Sequence, residues 1–391
     1  MPYTKIVIHY DEITLKGGNR PFFERALLTN INEALRNSAV KKIYKDGGKF
    51  LVDLTEQSNR EEIKMILEKI PGISNFYFSV SEEKSLEKIG KKVVELLNNS
   101  EQEKTKKTFK INARRADKRF EFKSPEINAK IGEYVLDKTS LMVDVHNPDL
   151  EIVVDIGMKS AFIYFDKIEG IGGLPTGTTG RLVSLLSGGI DSPVSSFMMA
   201  KRGAKLIFVH FKNRTMGGAN DGQEKIESLV KTLCKFQGKS KLYIVPFEEF
   251  QKEIIAKIPA MNRMIVYKRI MFQLAQKIAR KEKAKGLVTG DSLSQVASQT
   301  LENIEVIYNA ASIPVFSPLI GLNKQEIIQT AIKIGTFKTS IIPYQDCCSF
   351  LIAKHPETKG KLEEIQKQEE GLEIDNIIDE LFSKLEYQEF E

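Results

Sequence analysis

The sequence predicts an α/β chain in which two small α+β domains precede a doubly wound parallel-sheet domain. Three observations carry this. Short strands and helices mix in irregular order up to about residue 168; a glycine-rich stretch, GIGGLPTGTTG at 170–180, then breaks the pattern; beyond it, long helices alternate with wholly apolar runs. A strand that is apolar throughout is covered on both faces, as in a sheet whose parallel strands are joined by helices. The implied division is 1–59, 60–168, a linker over 169–180, and a C-terminal domain over 181–391.

The opening strand ends near His9, the Lys16-Gly17-Gly18-Asn19-Arg20 turn follows, and Pro21 suits the first turn of a helix whose apolar stripe runs from Phe22 to Leu35. Two strands around Gly47-Gly48 read as a hairpin. The second domain begins near Arg60 with a helix over 62–69, a break at Pro71-Gly72, a strand over 75–80 and a helix over 86–97. The strands TFKINARR and LEIVVDIGMKSAFIYF then flank the helix SPEINAKIGEYVLDK, giving a small sheet with helices on one face. After the linker, strands are expected at 182–186, 206–211, 241–246, 286–289 and in the 304–313 region; the tail DNIIDELFSKLEYQEFE reads as an acidic helix.

With 391 residues, 41% of them hydrophobic and 28% charged, the chain can build two or three real cores and is not a disordered protein. Its 58 basic and 52 acidic residues leave +6, an excess that matters only where it is localised. No segment has the uncharged length of a membrane span and the start lacks a signal-peptide core, so a cytoplasmic protein without a membrane partner is expected. Three cysteines, with Cys347 and Cys348 adjacent and Cys234 inside a helical pattern, cannot form a disulfide framework, and the four histidines show no zinc-ligand spacing. Any special thiol is redox-active or nucleophilic; Cys234 reads as core.

The chemistry concentrates in LLSGGIDSPVSSFMM. An apolar strand ends at Leu185-Leu186, and a helical pattern begins near Pro193. Ser187, Gly188 and Gly189 therefore sit where a strand hands over to a helix N-terminus, whose unpaired N–H groups and positive dipole end favour an anion. The hydroxyls of Ser187 and Ser192 add donors. No lysine follows as in a Walker loop, so pyrophosphate is the better guess for the bound group. Asp191 is repulsive in an anion site unless Mg²⁺ bridges it to phosphate; the plainer reading makes Asp191 and Ser192 helix caps. His210-Phe211 closes the next apolar strand with an aromatic and a backbone edge, or is a satisfied strand end. Lys268 and Arg269 flank a core-facing helix stripe, the usual place for solvated charge. Gly290 follows the strand GLVT and precedes a helix, a second turn able to approach a nucleotide, or a plain strand-to-helix turn capped by Asp291 or Ser292.

A basic run from Lys104 to Lys123 carries Lys107, Lys110, Arg114, Arg115, Lys118 and Arg119 with Phe109, Phe120 and Phe122 interleaved. Such a run is either a solvated face or a phosphate-binding surface.

The SGGIDS turn resembles the signature of the PP-loop ATP pyrophosphatases, and four further strings narrow the likeness: EITLKGGNRPFFE, INARRADKRFEFKSPEIN, TGDSLSQVASQT and YQDCC. Together they resemble the tRNA uridine 4-sulfurtransferases, the 4-thiouridine synthetases of the ThiI family, over nearly the whole chain. The resemblance implies a ferredoxin-like domain, a THUMP RNA-binding domain and a PP-loop catalytic domain. It implies adenylation of the 4-carbonyl oxygen of uridine 8 by ATP with Mg²⁺, then sulfur delivery from a cysteine desulfurase or a separate carrier and release of AMP. Carried over residue by residue, the nucleotide positions are Leu185, Leu186, Ser187, Gly188, Gly189, Ser192, His210, Phe211, Lys268, Gly290 and Gln299, with Asp191 linked to Mg²⁺. YQDCC makes Cys347 the acting thiol and Cys348 its alternate or resolving partner, against the reading of two inert buried cysteines. THUMP places the basic run on tRNA, and the family's pairing implies a homodimer. Some relatives carry a further rhodanese domain through which a role in thiamine biosynthesis is attributed; the tail here leaves no room for one. The rivals are a PP-loop amide ligase acting on a small molecule and an RNA-binding module with a vestigial nucleotide site.

Overall fold

The computed structural model of the chain describes residues 3–99, 105–212, 221–343 and 353–391. It divides into two compact units, Met1–Leu174 and Pro175–Glu391. The first contains β1 (Lys5–His9), α1 (Arg20–Ala34), β2 (Val40–Asp46), β3 (Lys49–Leu54), α2 (Arg60–Leu67), β4 (Asn75–Glu82), α3 (Leu86–Asn99), β5 (Thr108–Arg115), α4 (Ser124–Lys138), β6 (Met142–Val143), β7 (Leu150–Ile156), β8 (Ala161–Tyr164) and β9 (Ile168–Glu169). Their order is β2-β3-β1-β4-β8-β7-β5-β6, with β9 beside β4. β4 joins two half-sheets: residues 75–79 pair antiparallel with β1 and 80–82 with β8.

Each half carries its helices on one face. Ile6, Ile8, Leu27, Ile31, Ile63 and Leu67 share one core under α1 and α2, and Val93, Phe109, Ile127, Ile131, Ile152 and Ile163 share another under α3 and α4. Helix α2, expected to open the second domain at residue 60, thus packs in the first core, because Ile63 and Leu67, one turn apart, form the stripe it must bury. The opposite faces meet through Val7, Leu51, Tyr77, Val153, Phe162 and Tyr164. Among these apolar groups lies a buried ion pair between Lys49 of β3 and Asp155 of β7, with the Lys49 ammonium 4.8 Å from the centre of the Phe162 ring. The expected linker is tied at both ends. Gly170 and Gly172 bond to the 72–74 backbone of the first unit, while Gly177 and Thr179 donate to Gly203 of the second.

The second unit contains β10 (Arg181–Leu185), α5 (Asp191–Lys201), β11 (Lys205–Lys212), α6 (Asp221–Gln237), β12 (Ser240–Pro246), α7 (Glu248–Lys257), α8 (Arg263–Lys281), β13 (Leu287–Val288), α9 (Leu301–Tyr308), β14 (Val315–Phe316), α10 (Lys324–Ile334), α11 (Phe337–Ser340), α12 (Leu362–Glu369), α13 (Ile374–Ser383) and β15 (Glu386–Phe390). The sheet order is β14-β13-β10-β11-β12-β15, parallel except for β15, which runs antiparallel to β12 at the edge. The doubly wound reading holds, with two corrections. The 304–313 region is not a strand: α9 occupies most of it, with Asn303, Val306 and Ile307 buried at helical spacing and the Thr300 side chain accepting from the Asn303 amide. The strand follows as β14. The tail is helical only through α13; its last residues pair with β12, where alternating Glu386, Tyr387, Gln388, Glu389 and Phe390 suit an edge strand. Cys234 is buried in α6 as expected, and burial pushes its thiol up to about 12.

Strand order fixes where a ligand can sit. The chain runs outward from β10 to β11 and β12, then returns to the other side of β10 as β13 and β14. The β10–β13 boundary is therefore the point where winding reverses, and the crevice beyond the carboxyl ends of these strands is the ligand position of such sheets.

Candidate nucleotide site

A cavity of about 200 Å³ opens at that reversal point. Its wall takes Leu185 and Leu186 from the end of β10, Ser187, Asp191 and Ser192 from the turn into α5, and His210 and Phe211 from β11. Lys268, Met271 and Phe272 come from α8, and Thr289, Gly290, Asp291 and Gln299 from the segment after β13. Thus the structure brings together Leu185, Leu186, Ser187, Asp191, Ser192, His210, Phe211, Lys268, Gly290 and Gln299, positions separated by more than a hundred residues. Gly188 and Gly189 form the turn but are not on the cavity wall.

The turn is held by its own hydroxyls. Ser187 N–H donates to Ser192 Oγ at 2.9 Å, and the two hydroxyls lie 3.1 Å apart. Neither serine nor Asp191 caps α5 with its side chain, which removes the plainer reading of this motif. Ser195 and Ser196, buried one turn on, bond to the Thr289 carbonyl and to Ser184 at the centre of the sheet, so the helix start is anchored to both β10 and β13. Gly290 is required by close approach: a Cβ there would stand 2.8 Å from the Ser192 nitrogen. Its role in the fold is thus to let β13 abut the first turn of α5.

Charge at the mouth is arranged around Asp191. Lys324 Nζ donates to its Oδ1 at 2.5 Å and Gln295 Nε2 to its Oδ2 at 2.9 Å. Lys324 was not singled out in the sequence, although a signal exists. It is the first residue of α10, a helix capped by Asn323 and Glu326, where a cation opposes the helix dipole unless an anion offsets it.

Deeper in, Asp291 is buried and accepts from Lys268 Nζ at 3.0 Å, Thr289 Oγ1 at 2.6 Å, Gln299 Nε2 at 3.0 Å and the Tyr308 hydroxyl at 3.1 Å. Burial alone would raise its carboxyl, but the Lys268 charge and the Thr289 and Gln299 donors outweigh it and hold the group below the usual carboxylate range. Sequence reasoning treated Asp291 only as a cap; its place just past the end of a parallel strand was the available signal. His210 Nδ1 lies 2.9 Å from the Leu186 carbonyl, tying β11 to the turn, and Phe211 meets Phe247 edge to face. Arg269, expected among solvated helix charges, is instead buried and paired with Glu369 at 2.7 Å, because its side of α8 faces α12.

The basic run is only partly free. Arg115 donates to the Phe120 and Phe122 carbonyls, Arg119 pairs with Asp117 at 3.1 Å, and Lys110 lies 3.7 Å from Glu151. Lys84 and Arg119 hold the Asp117 carboxyl far below its usual range. Lys107, Arg114 and Lys118 are exposed. Cys347 and Cys348 lie outside the described residues.

Comparison with known proteins agrees with this arrangement. The family described as thiamine biosynthesis protein (ThiI) matches residues 177–374, a THUMP domain 83–166, and the ThiI ferredoxin-like domain 5–77. A probable tRNA sulfurtransferase of Thermoanaerobacter sp. (strain X514) is 41% identical over 96% of this chain and 97% of its own, and one of Caldanaerobacter subterraneus subsp. tengcongensis is 42% identical with the same coverage. The crystal structure of a 4-thiouridine synthetase–RNA complex with bound ATP superposes with a TM-score of 0.89 at 34% identity, covering 100% of both chains. With three domains in one order and this degree of identity along nearly its full length, the chain belongs to the ThiI family of tRNA sulfurtransferases.

Proposed function

We propose that this chain thiolates uridine 8 of tRNA to 4-thiouridine at the expense of ATP. The observation that carries the reading is the cavity itself: the strand-turn-helix start of α5, the end of β11, Lys268 and Gln299 converge on one space at the reversal of the sheet. Three features suit a nucleotide. The turn presents a helix N-terminus flanked by the Ser187 and Ser192 hydroxyls. Gly189 leaves room beside it, since a Cβ there would meet nothing closer than Ser187 Oγ at 3.5 Å. Gln299 Oε1 is buried without a partner among the described residues, an acceptor suited to a nucleotide amine or hydroxyl.

In this reading the pyrophosphate end of ATP lies at the 187–192 turn, and its base and ribose lie toward Leu186, His210, Phe211 and Gln299. The O4 oxygen of uridine attacks the α-phosphorus, the bond to the bridging oxygen breaks, and pyrophosphate leaves. The terminal sulfur of a Cys347 persulfide then adds to C4, and the C4–O bond breaks with AMP as leaving group. The thiol of Cys348 or of a small-molecule thiol attacks Cys347 Sγ, the S–S bond breaks to free 4-thiouridine, and the disulfide so formed is reduced by an external thiol. Lys324 and Lys268 supply positive charge where phosphate charge develops, and Lys324 orients Asp191. Among the described residues no three His, Cys, Asp or Glu side chains cluster to hold a metal alone, so Mg²⁺ would rest on Asp191 and phosphate oxygens, where it would neutralise the leaving group. Cys347 is assigned to sulfur transfer with Cys348 as its alternate or resolving partner. The sulfur comes from a cysteine desulfurase or a separate carrier. The exposed Lys107, Arg114 and Lys118 are assigned to tRNA phosphates, alongside Lys110, Arg115 and Arg119 of the same run. A homodimer acting in the cytoplasm completes the reading, and no helix among the described residues is long and apolar enough to cross a membrane.

The test combines the protein with ATP, cysteine, a cysteine desulfurase and unmodified tRNA and follows thiouridine absorbance, with ATP–pyrophosphate exchange measured alongside. Thiouridine formation is expected; exchange without it, or amide formation from a small acid and ammonia, overturns the reading. Cys347→Ser should leave tRNA-dependent AMP capping intact and stop thiolation, whereas the same result at Cys348→Ser alone would exchange the two assignments.

A further inference from the structure

We propose that Asp291 is the positioning residue of the nucleotide cavity, a buried carboxylate that holds Lys268 and Gln299 on the wall in the orientation in which they meet the nucleotide. The inference rests on the reading of the cavity as an ATP site and goes one layer behind it.

The four donors to Asp291 come from four different segments: Lys268 from α8, Thr289 from the end of β13, Gln299 from the loop that follows, and Tyr308 from α9. An ionised carboxylate offers about four lone-pair positions, so its capacity is filled by protein donors and it is not itself arranged as a ligand to phosphate or metal. Its consequence lies in what it does to its partners. The Asp291 oxygen can only accept, so the Gln299 amide must turn its NH₂ toward it. This leaves Oε1 as the group with no partner among the described residues, although Gln299 is 6% exposed. The glutamine is thereby committed to recognising a donor. Lys268 spends one N–H on Asp291, which leaves two for phosphate oxygens and fixes the direction of a side chain that is otherwise long and mobile. The Tyr308 hydroxyl, bonded in turn to Ser317, and the Thr289 hydroxyl complete the cage and keep the carboxylate from turning away. Three of the four donors, Lys268, Thr289 and Gln299, line the cavity, and Lys268 and Gln299 are the two with bonding capacity left for the nucleotide; Tyr308 braces the carboxylate from behind.

Asp291→Asn preserves shape but places an amide NH₂ among four donors, so Lys268 loses its counterion and Gln299 its reason to face one way. Measured by ATP–pyrophosphate exchange and by ATP titration, this variant is expected to raise the ATP KM 10- to 100-fold while kcat changes by less than about threefold. The effect should be non-additive. In a Lys268→Met background the same change at Asp291 should cost less than about threefold more, because the carboxylate acts largely through the lysine. Glu369→Gln, which breaks the buried ion pair to the neighbouring Arg269, provides the structural comparison and should lower the melting temperature with the ATP KM within twofold. Should Asp291→Asn fail to fold, Asp291→Glu, which keeps the charge and displaces it by one methylene, is read in the same cycle and should raise KM in the same non-additive way. A wild-type ATP KM in the folded Asp291 variant, or losses that add with those of Lys268→Met, overturns the inference alone. A wild-type protein that neither binds ATP nor exchanges pyrophosphate removes the ATP reading and this inference with it.

Discussion

Both units bury charge, and they use it differently. In the first, Lys49 and Asp155 are each 3% exposed and close on one another beneath Phe162, while Glu24 of α1 accepts from Tyr10, Arg20 and Lys45 at once. Both clusters are closed by protein partners; the Lys49–Asp155 pair ties β3 of one half-sheet to β7 of the other, and the Glu24 cluster braces α1 against β2 within the first half. In the second, Lys268, Asp291, Asp191 and Lys324 are also paired, yet the pairs border a cavity, Lys324 is partly exposed, and Gln299 carries an acceptor with no partner among the described residues. Burial of charge therefore does not mark a site by itself. What distinguishes the second unit is bonding capacity left facing a space that a ligand can fill.

The strongest way to break this contrast is to remove one partner of a closed pair. Lys49→Met leaves Asp155 buried without a counterion and should cost about 3–5 kcal/mol in urea unfolding of the full chain, whereas Lys49→Met combined with Asp155→Leu should recover most of it. ATP–pyrophosphate exchange by the folded fraction should not change. If Lys49→Met instead weakens ATP use, the first unit is not merely architectural. The reverse behaviour is expected at Asp191→Ala, with exchange reduced about 10²- to 10³-fold and the unfolding midpoint nearly unmoved, since its Lys324 partner can turn to solvent.

A smaller effect concerns His9, which lies beside the closed pair. Burial, ahead of the neighbouring charges, brings its imidazole down to about 4 from 6.5. Between these values the unfolded chain takes up a proton that the folded protein refuses, so this contribution is complete above pH 6.5 and is lost as the pH falls toward 4. About 2 kcal/mol should be lost by pH 5, and His9→Gln should flatten that part of the stability profile; an unchanged slope would show that the cluster tolerates the charge. The smallest effect belongs to the surface. Lys118→Ala should weaken tRNA binding a few-fold and reduce the slope of log affinity against log salt by about 1. Arg115→Ala, which releases the Phe120 and Phe122 carbonyls, should destabilise the loop as well.

Legibility followed the range of the interactions. The hairpin at Gly47-Gly48, the strands at 108–115 and 205–212, and the turn at 187–192 were readable because each is specified by residues within a few positions of one another. The 304–313 stretch misled because a short apolar run can be a strand or a buried helix, and here the Thr300 cap and the need to cover α8 chose the helix. The tail misled for a related reason: a strand added antiparallel at the edge of a parallel sheet is licensed by the open edge of β12, which no local pattern announces.

The sequence by itself determined the order of domains, the strand-turn-helix at 182–201, and most of the residues that meet at the cavity, since motif and periodicity act over neighbouring positions. Tertiary structure alone decided which charges are spent and which are available. Asp191 meets Lys324 across 133 residues and Gln295 across 104, and Arg269 meets Glu369 across 100. The free energy of a charge depends on the partners and solvent it finds in space, and these are set only when the sheet has closed.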